Sequence, residues 1–512
     1  MNHKKAGFLI FFIYLIINLI ILKDYGLSWD YHYHYYAGLY HLGLKVPPIN
    51  QESKIPFSSP DPRLTTEDPF GPFTQIIPSL SQIIFSENLK LLPPDISYNL
   101  PMVIFGSLGV LVLYLFLLEA FNFEIAFVAS LVLALNPVYF GYLHNNMKDI
   151  PNSFAFTLAV WFFWRLVKYK NMKSLLLAVI AFAFAFNIKI NSVLIPVICG
   201  LYFLITGNRK LFKRNNMMVL SYFLLAPVFA LVVWWPFWSD PLVKLRQLPE
   251  FYSLNTINMP VLLFGKIFRS GVNIPPAYPY LYLAVTTPLP VLILSLLGLI
   301  VSVYFSFRKN NNFVLLILWF FVPLLRYLSP KTGAIDGVRH FMEVLAPLSV
   351  FAAIGLNFLI KRINRNLSYL IGIFIFAFII FILVRFHPYQ TSFFNSLAGG
   401  IQGAQGKFDI DFWGTPQKAA VLWLNENAPR NSSVYIIMAQ STASVYLRPD
   451  LQGFVNRKSI TDSDYLVLLN RQSFFNLYGI NPDELSQDHE LIFSEKINGV
   501  PLVWIFRRKA KI

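Results

Sequence analysis

The sequence predicts a polytopic α-helical membrane protein of about eleven transmembrane helices, with the N-terminus inside, the C-terminus outside and a small soluble α/β domain at its C-terminal end. Three observations carry this reading. Of 512 residues, 56% are hydrophobic and only 13% charged, against about 25% charged in a soluble domain. Apolar runs recur at a length suited to a bilayer, which needs about 20 residues of helix. Lys and Arg gather in short clusters between those runs.

The apolar stretches are 7–22, 99–118, 124–141, 153–167, 174–188, 191–206, 217–236, 281–306, 313–328, 341–360 and 367–385. The first follows Met1–Lys5 with no small-residue cleavage site behind it, so it reads as a retained anchor. "FNIKIN" divides the long run 174–206 in two. A helix continuing through it would bury Lys189 in mid-membrane, at a cost on the order of 3 kcal/mol, and a turn there removes that cost. With eleven spans, Lys4 and Lys5, then Lys168, Lys170 and Lys173, then Arg209, Lys210, Lys213 and Arg214, then Arg308 and Lys309, then Lys361, Arg362 and Arg365 all fall on one side. By the positive-inside rule that side is the cytoplasm. The net charge of +16 is thereby a topology signal, and nucleic acid is not an expected partner. The single cysteine, Cys199, lies in an apolar run and excludes an intrachain disulfide.

The opposite side receives the first loop (23–98), "HNNMKDIP", the stretch 237–280, "SPKTGAIDGVRH" and the tail. The expected division is a transmembrane domain over 1–389 and a C-terminal domain over 390–512. Thr415-Pro416 predicts an N-cap with proline at the first helical position, opening a helix to about Asn427. "SVYIIMA" and "YLVLLN" predict strands, and "ELIFSEKINGVPLVWIF" predicts a hairpin turning at Asn498-Gly499.

The chemistry gathers on the outer side. Asp30 stands in "LSWDYHYHYY"; His144, Lys148 and Asp149 lie between the third and fourth stretches; Lys189 caps the fifth; Arg339 and His340 open the tenth, with Glu343 one turn further in. Taken singly, each fits a solvated interfacial residue, and the tyrosines and histidines near Asp30 fit an aromatic belt. Taken together they suggest transfer from a lipid-linked phosphate to a hydroxyl. A carboxylate can take the proton of an attacking hydroxyl, Lys and Arg can hold a phosphate, and an apolar bundle can hold a lipid tail.

Four segments in order, "WDYHYHYYAG", "HNNMKDIPNSF", "PPAYPYLYLAVTTPLPVLILSLLGL" and "GVRHFMEVLAP", resemble the C-type glycosyltransferase superfamily. Within it they are most similar to bacterial relatives of dolichyl-phosphate-mannose protein mannosyltransferases and aminoarabinose transferases. The resemblance implies a donor sugar on a polyprenyl phosphate and a single inverting displacement. It implies Asp30 as general base and Asp149 as the second acid. It makes Lys148 a phosphate ligand, with Arg339 and His340 as further contacts; His144 and Lys189 complete the expected phosphate-binding set. Relatives often carry two adjacent acids in the first loop, whereas Tyr31 follows Asp30 here, so neither a divalent metal nor another cofactor is expected. The acceptor stays open among a protein Ser/Thr, a lipid and a cell-surface polymer, and so does the sugar. The expected location is the cytoplasmic (inner) membrane, with site and tail extracytoplasmic. Two rival readings are a transporter or lipid flippase, which would place ionisable residues and broken helices near the bilayer midplane, and a scaffold presenting the tail. "HPYQTSFFNSLAGGIQGAQGKFDIDFWG", after the last stretch, has no assigned task.

Overall fold

The structure, a computed structural model, describes residues 3–46, 70–206, 216–235, 258–308 and 310–509, with a few positions between 238 and 246. The cluster Arg209–Arg214, Lys309, part of the first loop and part of the stretch 237–280 lie outside the described residues. Each of the eleven apolar stretches is helical, but not as eleven long rods. Among the described residues six helices are long and apolar enough to cross a membrane: His3–Asp24, Pro94–Ala120, Asp149–Tyr169, Leu289–Phe307, Asn311–Leu328 and Arg339–Ile360. Five more, Phe123–Ala134, Met172–Ile188, Ile190–Thr206, Met217–Val233 and Leu370–Arg385, are apolar but shorter.

The local sequence explains where length was lost. The third stretch breaks where Asn136 accepts from the backbone N–H groups of Val138 and Tyr139 and Pro137 opens a new helix at its first position. That arrangement starts helices and does not continue them. The eighth stretch breaks at Pro288, between a Tyr278–Thr286 helix and the Leu289–Phe307 helix. At "FNIKIN" the expected turn is present. Lys189 is extended (φ −150°, ψ 129°) between the helix Met172–Ile188 and a 3₁₀ turn at Ile190–Val193. The tenth stretch starts with 3₁₀ geometry over Arg339–Val344 before the α-helix Leu345–Ile360.

The Pro94–Ala120 and Asp149–Tyr169 helices form the centre of the bundle, with most of their residues buried. The Leu289–Phe307 and Leu345–Ile360 helices touch backbone to backbone. A Cβ on Gly298 would lie 1.7 Å from the Phe351 carbonyl oxygen, and one on Gly355 would lie 2.1 Å from that of Leu294. Small residues permit such approach between membrane helices. Gly298→Ala should therefore destabilise the protein by about 1–3 kcal/mol, as overpacking does. Gly372→Ala, with nothing within 4 Å of its Cβ, serves as the matched control. Thermal unfolding of both variants in detergent checks this, and equal midpoints would refute it.

After Arg385 the chain builds a four-stranded sheet in the order β3-β4-β6-β5, from Val434–Ile437, Tyr465–Leu469, Val500–Arg508 and His489–Ile497. β3 and β4 pair in parallel and the rest antiparallel. A separate hairpin, β1 (Pro260–Leu263) with β2 (Lys266–Arg269), precedes it in the chain. The β5–β6 turn falls at the predicted Asn498-Gly499, both with positive φ, as a tight two-residue hairpin demands. The helix before the sheet runs Gln417–Asn427, with Pro416 at its N-cap and no side-chain cap. Thr415 is not the cap, since the helix starts one residue later than expected; its hydroxyl accepts from the Asn145 side chain at 3.1 Å. Ala420, Val421 and Leu424 pack this helix onto Val434, Val467 and Val503 of the sheet. Lys418 ties the segment to the first loop, reaching the Lys23 carbonyl oxygen at 2.7 Å and the Asp95 carboxylate at 2.9 Å.

Candidate active site

Asp30 precedes the helix Tyr31–His41 at its N-cap position but makes no capping bond with its side chain. Its carboxylate is therefore available to other partners. The backbone around it is held by the C-terminal segment: the Trp29 N–H donates to the Trp413 carbonyl at 3.0 Å. Thr442 donates to the carbonyls of Ser28 and Trp29 at 3.2 and 3.3 Å.

Lys148 and Asp149 begin the central helix Asp149–Tyr169. Asn146 shapes this start. Its side-chain oxygen accepts the N–H groups of Lys148 (3.1 Å) and Asp149 (2.7 Å), and its amide donates to the Asp149 carboxylate at 2.9 Å. The "NNMKDIP" sequence thus directs the two neighbouring side chains to different partners. Lys148 Nζ lies 2.6 Å from Asp30 Oδ2, and Lys189 Nζ lies 2.5 Å from Asp149 Oδ1.

Arg339 sits between these pairs. Its Nη1 is 3.7 Å from Asp30 Oδ2, its Nε 4.0 Å from Asp149 Oδ2, and its Nη2 2.5 Å from Asp336 Oδ2. The Trp413 ring lies beneath its guanidinium at 4.7 Å and 5.9 Å from Lys148 Nζ, and the Phe70 ring lies 5.1 Å from the same ammonium. Aromatic faces attract such cations. Five of the seven predicted site residues, Asp30, Lys148, Asp149, Lys189 and Arg339, are thus joined by ion pairs into one set. Its members are paired and largely buried, not solvated by headgroups. Asp30 is the accessible one, with 33% of its side chain exposed, against 3% for Asp149 and 7% for Arg339.

The two histidines are placed differently. The buried His144 ring stacks on Tyr25 at 3.7 Å and its Nδ1 bonds the Phe140 carbonyl at 2.9 Å. Those contacts turn it toward its own helix turn and away from the charged set. His340 Nε2 lies 3.3 Å from Arg339 Nη2; facing a guanidinium, that nitrogen is an acceptor, which leaves the ring proton on Nδ1. The His340 carbonyl accepts from Asn191 at 3.2 Å and from Arg326. Glu343 is buried one turn further in, with Oε1 unpartnered.

The charges tune one another. Burial alone would raise the Asp30 carboxyl, but Lys148 and Arg339 outweigh it and hold it well below the usual carboxylate range. Burial pushes Asp411 up to about 6, against the opposing backbone N–H bonds of Gly414 and Trp413. Those bonds, 2.7 and 3.1 Å to one carboxylate oxygen, fix the turn that presents Trp413. Among the described residues no group of three or more His, Cys, Asp or Glu side chains could hold a metal ion.

Sequence reasoning missed Asp336, Trp413, Arg471 and Asn146. Asp336 stands three residues before Arg339, and Trp413 stands in the unassigned "FDIDFWG"; both spacings were available as signals. Arg471 sits in no motif.

A family model described as dolichyl-phosphate-mannose-protein mannosyltransferase matches residues 90–235. Among solved structures, ArnT from Cupriavidus metallidurans in the apo state aligns over 98% of this chain and 98% of its own, at 11% identity and a TM-score of 0.50. The same protein bound to undecaprenyl phosphate aligns over 97% of each chain, again at 11% identity and 0.50. The archaeal oligosaccharyltransferase AglB from Archaeoglobus fulgidus, in complex with an inhibitory peptide and a dolichol-phosphate, aligns over 99% of this chain and 75% of its own, at 14% identity and 0.50. At these identities the structural likeness is one of fold. No curated protein matches the sequence significantly. Of the four short segments that carry the resemblance, "HNNMKDIPNSF" lies inside the matched residues, and the likeness over nearly the whole chain is one of fold.

Proposed function

We propose that this relative of the C-type glycosyltransferases is a membrane enzyme that moves a sugar from a polyprenyl-phosphate donor to an acceptor hydroxyl on the outer face of the cytoplasmic membrane. The observation that carries the reading is the convergence of Lys148 and Arg339 on one oxygen of Asp30. Two cations that share a carboxylate without substrate can share a phosphate with it. Asp30 takes the acceptor's proton as the acceptor oxygen attacks the anomeric carbon. The bond from that carbon to the phosphate oxygen breaks, its electron pair leaves with the phosphate, and the anomeric configuration inverts. Lys148 and Arg339 hold the departing phosphate, which carries full charge only after the bond has broken. That is pre-organised electrostatic stabilisation. Asp149, paired with Lys189 and Asn146, fixes the start of the helix that carries Lys148.

The same geometry supports an order of binding. Without donor, Asp30 is a counter-ion and a weak base. A phosphate that engages Lys148 and Arg339 withdraws that stabilisation, so the basicity of Asp30 rises once the donor is bound. The transporter reading is not favoured, because these ionisable residues cluster at helix ends: Asp149 is the first residue of its helix and Lys189 the last cap of its own.

Purified protein in nanodiscs, given polyprenyl-phosphate sugars and hydroxyl acceptors, should release polyprenyl phosphate and form a glycoside of inverted configuration, read by NMR. Retention would overturn the mechanism. Topology is tested separately. Ser432, in the tail, is buried, whereas Glu426 is exposed and the native Cys199 is buried. Glu426→Cys should react with an impermeant maleimide in cells whose inner membrane is intact. Labelling seen only after that membrane is broken would place the tail inside.

A further inference from the structure

The charged site does not end at the membrane helices. Asp336 carries two arginines on one carboxylate. Oδ2 binds Arg339 Nη2 at 2.5 Å, and Oδ1 binds Arg471 Nη2 at 2.7 Å. All three side chains are buried, at 4–7% exposure. Arg471 follows β4 in the C-terminal segment. Its Nη1 donates to the Phe412 carbonyl at 2.8 Å, next to the Trp413 whose ring lies under Arg339. The Phe474 ring stacks on its guanidinium at 3.7 Å.

Asp336 without Arg471 would have one cationic partner and one free oxygen, and Arg339 could rotate toward it. With Arg471 in place the carboxylate is held at both oxygens, and one Arg339 nitrogen is committed to it. The remaining face of Arg339, Nη1 and Nε, is then aimed at Asp30 and Asp149. We infer that Arg471 is a positioning residue for the transfer reaction: through Asp336 it sets the orientation of Arg339, so the C-terminal segment completes the phosphate site. This rests on the reading of Arg339 as a phosphate ligand.

The test is a double-mutant cycle on affinity for undecaprenyl phosphate, measured on full-length protein in nanodiscs. Arg471→Met should weaken binding by about tenfold in the wild-type background, a coupling of the size shared networks show. In an Arg339→Ala background it should add less than about twofold, because the residue it orients is gone. Arg471→Lys, which keeps the charge but not the guanidinium, should restore part of the loss; a purely structural role of Arg471 would not give this dependence on Arg339. If Arg471→Met fails to fold, the same cycle with Asp336→Asn carries the test, with the same non-additivity expected. Equal losses in both backgrounds would overturn the inference and leave the phosphate reading intact. Wild-type affinity in Arg339→Ala itself would overturn both.

Discussion

Asp30→Asn is expected to lower turnover by about 10²–10⁴-fold, the usual contribution of a general base, while the protein still folds and still binds donor. Asparagine matches aspartate in size, and the side chain lies at the rim of the site with 33% exposed, so packing changes little. The substitution also removes the anion paired with Lys148 and Arg339, which in the proposed reaction would compete with the donor phosphate for them. Donor affinity should therefore hold or improve as the rate falls. A joint loss of affinity and rate would point to a misfolded site. A wild-type rate would exclude Asp30 as the base and make Asp149 the next candidate. Asp149 is a poor substitute, because both its oxygens are engaged, by Lys189 and Asn146. The pH profile adds an independent reading. In the donor-free enzyme Lys148 and Arg339 keep Asp30 ionised well below the usual carboxylate range. Between about pH 4 and pH 7, kcat/KM should show no acid limb from this group, since a free carboxylate titrates near 3.9. With the phosphate sharing the cations its pKa rises, so any acid limb should appear in kcat and at higher pH. An acid limb in kcat/KM that disappears in Asp30→Asn would contradict the pairing.

Much of this arrangement was legible in the sequence where one local rule decides. The break at "FNIKIN" followed from the cost of burying Lys189, and the Asn498-Gly499 turn from its need for positive φ. Asp30, Lys148, Asp149 and Arg339 stood out because charge is scarce in this chain and lay beside apolar runs. What was not legible needed the third dimension. Hydropathy counts apolar residues but does not see Asn136 and Pro137, or Pro288, cutting a run into shorter helices. His144 read as a phosphate contact as one of the polar groups between the third and fourth stretches, yet its ring turns back onto Tyr25 and Phe140. Trp413 and Arg471 are far from the helices they serve, and a tryptophan among "FDIDFWG" reads equally well as core. Only the fold shows that it lies under two cations.

Arg339→Ala is expected to slow turnover by about 10²–10³-fold, the range for losing one pre-organised donor to a developing anion, and to weaken donor binding with it. Stability should fall as well, because the guanidinium serves three carboxylates, those of Asp30, Asp149 and Asp336. Removing one partner from a buried ionic set costs about 3–5 kcal/mol. Arg471 still neutralises Asp336 and Lys189 still neutralises Asp149, which argues for the lower end of that range. The informative comparison is Arg339→Lys. It keeps the positive charge, so most of the stability should return. An ammonium is a single point charge, however, and cannot bond Asp336 while aiming two further N–H groups at the site, as the planar guanidinium does. Binding and turnover should recover only in part. If lysine restores stability and catalysis together, Arg339 acts as a charge alone. If alanine changes stability but leaves the kinetics unchanged, the guanidinium is a structural counter-ion to three aspartates, and the donor phosphate must be sought at Lys148 without it.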